Sequence, residues 1–150
     1  RRKTYAKKDG HAMRILCDTN IILDVLLDRA PFVEASAEVL KRCETGIIEG
    51  FTTASCITDI FYLVHKQLHD NERSYQAIEQ LLTIVHVTDV TSSHIAEALS
   101  HRASDFEDCL AAVCAKSIHC DFVVTRDIKG FVGFDIPILT PSELIERIER

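Results

Sequence analysis

The chain has 150 residues, of which 47% are hydrophobic and 27% charged, and its formal net charge is −6 at pH 7. This length suits one globular domain that buries roughly 70% of its unfolded surface, and no apolar run approaches the roughly 20 residues of a membrane helix. The acidic balance argues against a general nucleic-acid-binding surface, which is usually basic, but not against an enzyme whose acids hold metal ions that meet a phosphate.

Residues 1–12 differ from the rest because they carry five basic residues, one acidic residue and no hydrophobic periodicity. They also lack the apolar core of a secretory signal. We therefore predict a flexible extension or an artificial remnant there, followed by one domain over residues 13–150. The six cysteines form no CxxC pair, so we expect reduced, largely buried thiols and a cytoplasmic protein.

Short apolar runs alternate with helical periodicity along the rest of the chain. The predicted elements, in chain order, are a strand at 13–17, helices at 20–28 and 32–48, a strand at 51–54, a helix capped by Ser55, a helix around 75–82, a strand at 84–87, a helix beginning near Thr91, a helix capped by Ser104 or Asp105 and ending near 118, a strand at 121–125, a strand at 138–140 and a helix at 143–149. This alternation predicts a single α/β domain with a parallel central sheet flanked by helices on both faces.

Two acids are predicted to follow strands of this sheet. Asp18 follows the first strand, and Asp127 follows the strand at 121–125. Each has a simpler explanation as a turn or cap residue, because Asp is common there. Sites in parallel sheets nevertheless form beyond the carboxyl ends of the strands. Hard cations such as Mg²⁺ and Mn²⁺ prefer oxygen ligands, and they can activate water and neutralise a phosphate.

Other acids fall within predicted helices. Asp108 lies in a first turn, where the helix N-terminus stabilises a carboxylate, but the small and apolar residues around it indicate that it faces a crevice. Asp105 is better explained as the cap of the same helix. Asp59 by itself looks like a surface acid, and Asp24 and Asp28 are predicted to lie on a solvated helix face.

Five segments together resemble the PIN-domain family. MRILCDTNIILDVLL resembles the family's first motif, SCITDIFYLV the helix that carries its second acid, DFEDCLAAVCA the third motif, VVTRDIKGF the fourth, and PILTPSELI a common ending. These segments spread over residues 13–148. Four motifs in order at suitable spacing are fairly specific, whereas DTN alone is weak.

The resemblance implies a ribonuclease that uses Mg²⁺ or Mn²⁺ to hydrolyse RNA phosphodiester bonds. It assigns the catalytic roles to four acids, Asp18, Asp59, Asp108 and Asp127. The first, third and fourth would hold the metal, and Asn20 and Thr125 would contribute polar groups near it. The best-known prokaryotic members are VapC-type toxins, so the implied partners are RNA, a cognate antitoxin and a second copy in a homodimer. The second acid is commonly Glu, and the shorter Asp59 would reach metal only through water.

Other functions stay open on the sequence alone. A PIN-like domain that binds protein or RNA without cutting is favoured by the departure at Asp59 and by the acidic composition. A haloacid-dehalogenase-like phosphatase would need a second Asp where this chain has Asn20, and a phosphoacceptor receiver domain would need an acidic pair near the end of the first strand. A zinc site from Cys114, His119 and Cys120 lacks a second cysteine pair, so core cysteines and surface histidines are the default explanation.

Overall fold

The structure is a computed structural model that describes residues 12–150. Its elements, in chain order, are β1 (Arg14–Cys17), α1 (Thr19–Leu26), α2 (Val33–Glu44), β2 (Glu49–Thr53), α3 (Ala54–Leu68), α4 (Asn71–Leu81), β3 (His86–Thr88), α5 (Ser92–His101), α6 (Phe106–Ser117), β4 (Phe122–Val124), the 3-10 helix η1 (Ile128–Phe131), β5 (Ile138–Leu139) and α7 (Pro141–Glu149). The extension predicted at residues 1–12 lies, apart from Ala12, outside the described residues. No helix in the described range is both long and apolar enough to cross a membrane.

The five strands form one sheet in the order β3-β2-β1-β4-β5, and all four pairings are parallel. The central strand β1 is almost inaccessible to solvent at Ile15, Leu16 and Cys17, as expected for a parallel strand covered on both faces. Because the strands run in one direction, their carboxyl ends meet at one edge. The predicted parallel α/β domain is confirmed.

Side chains from successive positions of β1 belong to different hydrophobic clusters. Ile15 and Cys17 join the cluster that α1, α2, α3 and α7 build on one face of the sheet. Leu16 joins a second cluster, to which α6 contributes Ala111, Ala112 and Ala115 and η1 contributes Phe131. Alternation along a strand places neighbouring side chains on opposite faces, so helices cover both sides as predicted.

Element boundaries agree where a local capping signal sets them. Thr91 begins α5 with a capping box in which its side chain accepts from the backbone N–H of His94, and Asp105 caps α6. The helix predicted from Ser55 begins earlier, after Thr53, so the predicted cap was wrong. The helix predicted over 32–48 ends at Glu44, because the chain turns through Gly46 at a φ of +80°.

The prediction that Asp24 lies on a solvated face was wrong. Asp24 has 0% exposure, and its two carboxylate oxygens accept hydrogen bonds from the Arg126 guanidinium at 2.7 and 3.0 Å. The Ser36 hydroxyl also donates to this carboxylate at 3.2 Å, and the guanidinium lies 3.9 Å from the centroid of the Phe32 ring. A buried charge needs such partners. Asp28 is exposed, as predicted.

None of the six cysteines forms a disulfide in the described part of the chain, and five of them are buried, as predicted. Burial raises the pKa of the Cys114 thiol to about 11, so this group stays protonated near neutral pH. These side chains therefore act as small apolar residues of the core.

Candidate active site

Asp18 lies at the carboxyl end of β1, where its backbone N–H donates to the Val124 carbonyl of the neighbouring strand at 2.9 Å. Its Oδ1 accepts from the backbone N–H of Thr19 at 2.9 Å, which caps α1. Its Oδ2 accepts from the Thr125 hydroxyl at 2.8 Å and from the Asn20 amide at 3.3 Å. Asn20 and Thr125, to which the family resemblance assigns polar roles, therefore both contact Asp18 and fix its orientation.

The fully buried Thr125 also holds the loop that carries Asp127. Its hydroxyl oxygen accepts from the backbone N–H of Asp127 at 3.0 Å while its proton goes to Asp18. Asn20 adds a weaker tie, because its Oδ1 accepts from the backbone N–H of Arg126 at 3.4 Å. These hydrogen bonds connect the ends of β1 and β4. Asp18 and Asp127 are therefore held by one hydrogen-bond network.

Asp108 approaches the same edge from the first turn of α6. Its backbone N–H donates to Asp105 Oδ1 at 3.0 Å, so Asp105 is the cap and the carboxylate of Asp108 is free for another role. That carboxylate extends to Gly130 in η1, where a Cβ would overlap Asp108 Oδ2 and would lie 3.7 Å from Asp127 Oδ2. The carboxylates of Asp108 and Asp127 therefore border the same small space.

The electrostatic environment shows that these acids act on one another. Burial, and then the charges of Asp18, Asp105, Asp127 and Glu107, raise the pKa of Asp108 to about 7. Burial also raises the pKa of Asp18, although the hydrogen bond from its Thr125 neighbour opposes this change, and the charges of Asp105 and Asp127 add to it. Like charges disfavour ionisation of a neighbouring acid. A bound cation would therefore offset the repulsion between these carboxylates.

Asp59 is exposed on α3. Its charge acts on Glu107, whose pKa is raised by burial first and then by Asp59, Asp18 and Asp105. The charges of Asp59 and of Asp18 therefore both act on Glu107. Sequence reasoning missed Glu107, and treated Asp105 as a cap alone. The signal was present, because DFED places three acids within four residues at the start of a helix whose N-terminus favours negative charge.

The donors at this edge suit a hard divalent cation. Within residues 12–150, no group of three or more His, Cys, Asp or Glu side chains lies close enough together to hold a metal ion. However, carboxylate oxygens are the ligands that Mg²⁺ and Mn²⁺ prefer, and Mg²⁺ keeps several waters while using only one or two carboxylates. The carboxylates of Asp108 and Asp127 both lie next to Gly130, where the missing side chain makes room for Asp108 Oδ2. The residues present therefore suit a divalent ion that keeps part of its water shell.

The raised pKa values predict how the stability of the metal-free protein depends on pH. Between the ordinary value of 3.8 and the raised value of about 7 for Asp108, the native state holds more protons than the unfolded state. The free energy of unfolding should therefore fall as pH rises through this window, and the loss should persist above it. Asp108→Asn should flatten part of this decline, and melting curves in chelator between pH 4 and pH 8 would measure it. The exposed Asp28→Asn serves as the control, and an Asp108→Asn profile parallel to wild type would contradict the expectation.

Known proteins share this architecture. The model of the PIN domain matches residues 14–129. DNA-bound VapBC from Salmonella typhimurium gives a TM-score of 0.66 at 18% identity, covering 86% of this chain and 98% of that one. FitAcB from Neisseria gonorrhoeae gives 0.60 at 22% identity, with 85% and 98% covered. VapC20 from Mycobacterium tuberculosis, a sarcin-ricin loop cleaving toxin, gives 0.60 at 15% identity, with 80% and 95% covered. Comparison with curated proteins gives no match.

Proposed function

The chain belongs to the PIN-domain family, and from that premise we propose that it is an endoribonuclease that uses Mg²⁺ or Mn²⁺ to hydrolyse RNA phosphodiester bonds. The observation that carries this proposal is the arrangement of three acids at the carboxyl edge of the sheet. Asp18 is held by hydrogen bonds, and the carboxylates of Asp108 and Asp127 both lie beside Gly130. Burial, and then the charges of neighbouring acids, raise the pKa of Asp18 and of Asp108, which supports a common role in binding metal.

Asp18 and Asp108 would be the principal metal ligands in this proposal. Asp127 and Asp59 would complete the cluster directly or through water. A divalent ion bound there supplies activation of water and neutralisation of charge on the scissile phosphate. The chain's own task is to hold the carboxylates in place before the substrate arrives. The polar framework of Thr125 and Asn20 around Asp18 performs that task.

We further propose that this chain is the toxin of a toxin–antitoxin pair, held inactive by a cognate antitoxin. VapBC from Salmonella typhimurium and the sarcin-ricin loop cleaving toxin VapC20 share its fold, and this likeness supports the proposal. A homodimer and a cytoplasmic location belong to the same proposal. The free thiols fit a reducing compartment.

The direct test of this proposal is cleavage of RNA by the purified protein. Single-stranded and structured RNA should both be offered as substrates. Fragments should appear with Mn²⁺ or Mg²⁺ and should stop appearing when a chelator is added. Intact RNA under every metal condition, with protein that melts cooperatively, would contradict the nuclease proposal.

A PIN domain that binds a partner without cutting RNA is the second candidate. The exposure of Asp59 favours it, and Asp has a shorter side chain than the Glu that is common in the family at the second acid. In that case, no RNA would be cleaved in the presence of Mn²⁺, even though the protein is folded and binds its partner.

The variants of Asp59 separate a ligand from a surface acid. If Asp59 serves the metal cluster, we expect Asp59→Glu to keep or raise the cleavage rate, since the longer arm reaches further. Asp59→Ala should lower the rate roughly tenfold or more, as loss of an outer contact to a metal site does. Lys66→Ala on the same helix is the matched control. Cleavage by Asp59→Ala at the wild-type rate would show that Asp59 has no part in the site.

A further inference from the structure

Gly130 lies in the single turn of η1, three residues after Asp127 and beside α6. The neighbouring Phe131 is 1% exposed and belongs to the hydrophobic cluster that contains Ala111 and Ala112 of α6. This buried side chain fixes the turn against the helix that carries Asp108. The backbone at residue 130 is therefore next to an anchored residue.

The backbone conformation does not explain why residue 130 is a glycine. Gly46 and Gly133 have positive φ, at 80° and 91°, which few other residues adopt without strain. Gly130 is not among the residues with positive φ. An alanine could therefore adopt the backbone of residue 130, and it would restrict the unfolded chain more than glycine does.

The space beside Gly130 gives a different explanation. A Cβ built on this residue would overlap Asp108 Oδ2, and it would lie 3.2 Å from Asp108 Cγ and 3.7 Å from Asp127 Oδ2. These three nearest atoms all belong to carboxylate side chains, and none belongs to the backbone. A methyl group at residue 130 would therefore push away the end of a flexible side chain and leave the main chain in place.

We propose that Gly130 is a positioning residue for the metal site. Its missing side chain provides the space through which the carboxylate of Asp108 extends from α6 to the carboxylate of Asp127. Any larger residue at this position would turn Asp108 away from the other acids while the fold persists. This inference deepens the proposed metal-dependent function and rests on it.

The test compares Gly130→Ala with wild type in two measurements that need no RNA. The first is a crystal structure of the metal-free variant, in which the Asp108 carboxylate should be displaced by about 1 Å or more to reach normal contact distance. The second is Mn²⁺ binding by calorimetry, in which the affinity should fall at least about tenfold. Val132→Ala, at a side chain with 75% exposure just after η1, is the control and should change neither measurement.

A double variant isolates the route through Asp108. Asp108→Ala should weaken Mn²⁺ binding by itself, and adding Gly130→Ala should weaken it no further, because the group that the methyl would displace is already gone. Losses that multiply in the double variant would overturn the proposal, and so would wild-type Mn²⁺ affinity in Gly130→Ala. A variant structure in which residue 130 shifts and Asp108 stays would overturn it as well. Wild-type protein that binds no Mn²⁺ would instead contradict the metal-dependent function itself, and this inference with it.

Discussion

Asp18→Asn is expected to lower the rate of Mn²⁺-dependent RNA cleavage at least about a hundredfold while the fold is kept. Asparagine has nearly the same shape, and its oxygen can still accept from the backbone N–H of Thr19, so the cap of α1 survives. The negative charge that would bind the cation is lost. Initial rates of fragment formation, measured with equal concentrations of folded protein, give the size of the effect.

Asp28→Asn is the matched control, because Asp28 lies beyond the other end of α1 and is exposed. It should cleave at the wild-type rate. Equal rates for wild type and Asp18→Asn would point to a contaminating nuclease and would remove Asp18 from the site. Melting curves of both variants would show whether a lower rate follows from the chemistry or from unfolding.

Arg126→Ala is expected to lower the free energy of unfolding by about 3 kcal/mol, because it leaves the buried carboxylate of Asp24 without its charged partner. This value is at the low end for a buried pair, since 28% of the Arg126 side chain is exposed. For a domain of this size, the loss corresponds to a Tm lower by roughly 6 to 12 °C. Chemical denaturation and thermal melting would both measure it.

Two further variants show whether the unpaired charge is the cause. Asp24→Asn combined with Arg126→Ala should recover part of the loss, because the amide can still accept from the Ser36 hydroxyl and carries no charge. Arg150→Ala breaks the exposed pair with Glu146 and should cost less than about 1 kcal/mol. If Arg126→Ala melted at the temperature of Arg150→Ala, the buried ion pair would have no stabilising role.

The fold was predictable because its signals are local. The run from Ile15 to Cys17 is apolar at every position and ends at an acid, as a buried parallel strand before a site should. Thr91 and Asp105 begin helices with side chains that accept backbone N–H groups within three residues. Each of these signals depends on neighbours in sequence, so it could be recognised without any tertiary information.

The parts that sequence reasoning missed depend on distant partners. Asp24 looked solvated, because the sequence around α1 gives no sign of Arg126, which lies 102 positions away and neutralises it. The role of Gly130 could not be predicted for the same reason, since only the folded chain brings Asp108 against it. Contacts of this kind arise from tertiary packing, so local sequence patterns cannot predict them. Asp59 is a different case, because the sequence around it already looked like that of a surface acid and the residue is exposed.

Thermal melting of wild type and Asp108→Asn, each with chelator and with Mn²⁺ at pH 7, tests the shared metal site most directly because it needs no knowledge of the RNA. In chelator the variant should melt higher than wild type, since one of the mutually repelling acids is gone. At a Mn²⁺ concentration about one hundred times the dissociation constant, wild type should gain about 2.7 kcal/mol of stability, and the variant should gain clearly less. A variant that melts lower than wild type in chelator, and gains as much from Mn²⁺, would show that Asp108 only stabilises the start of α6.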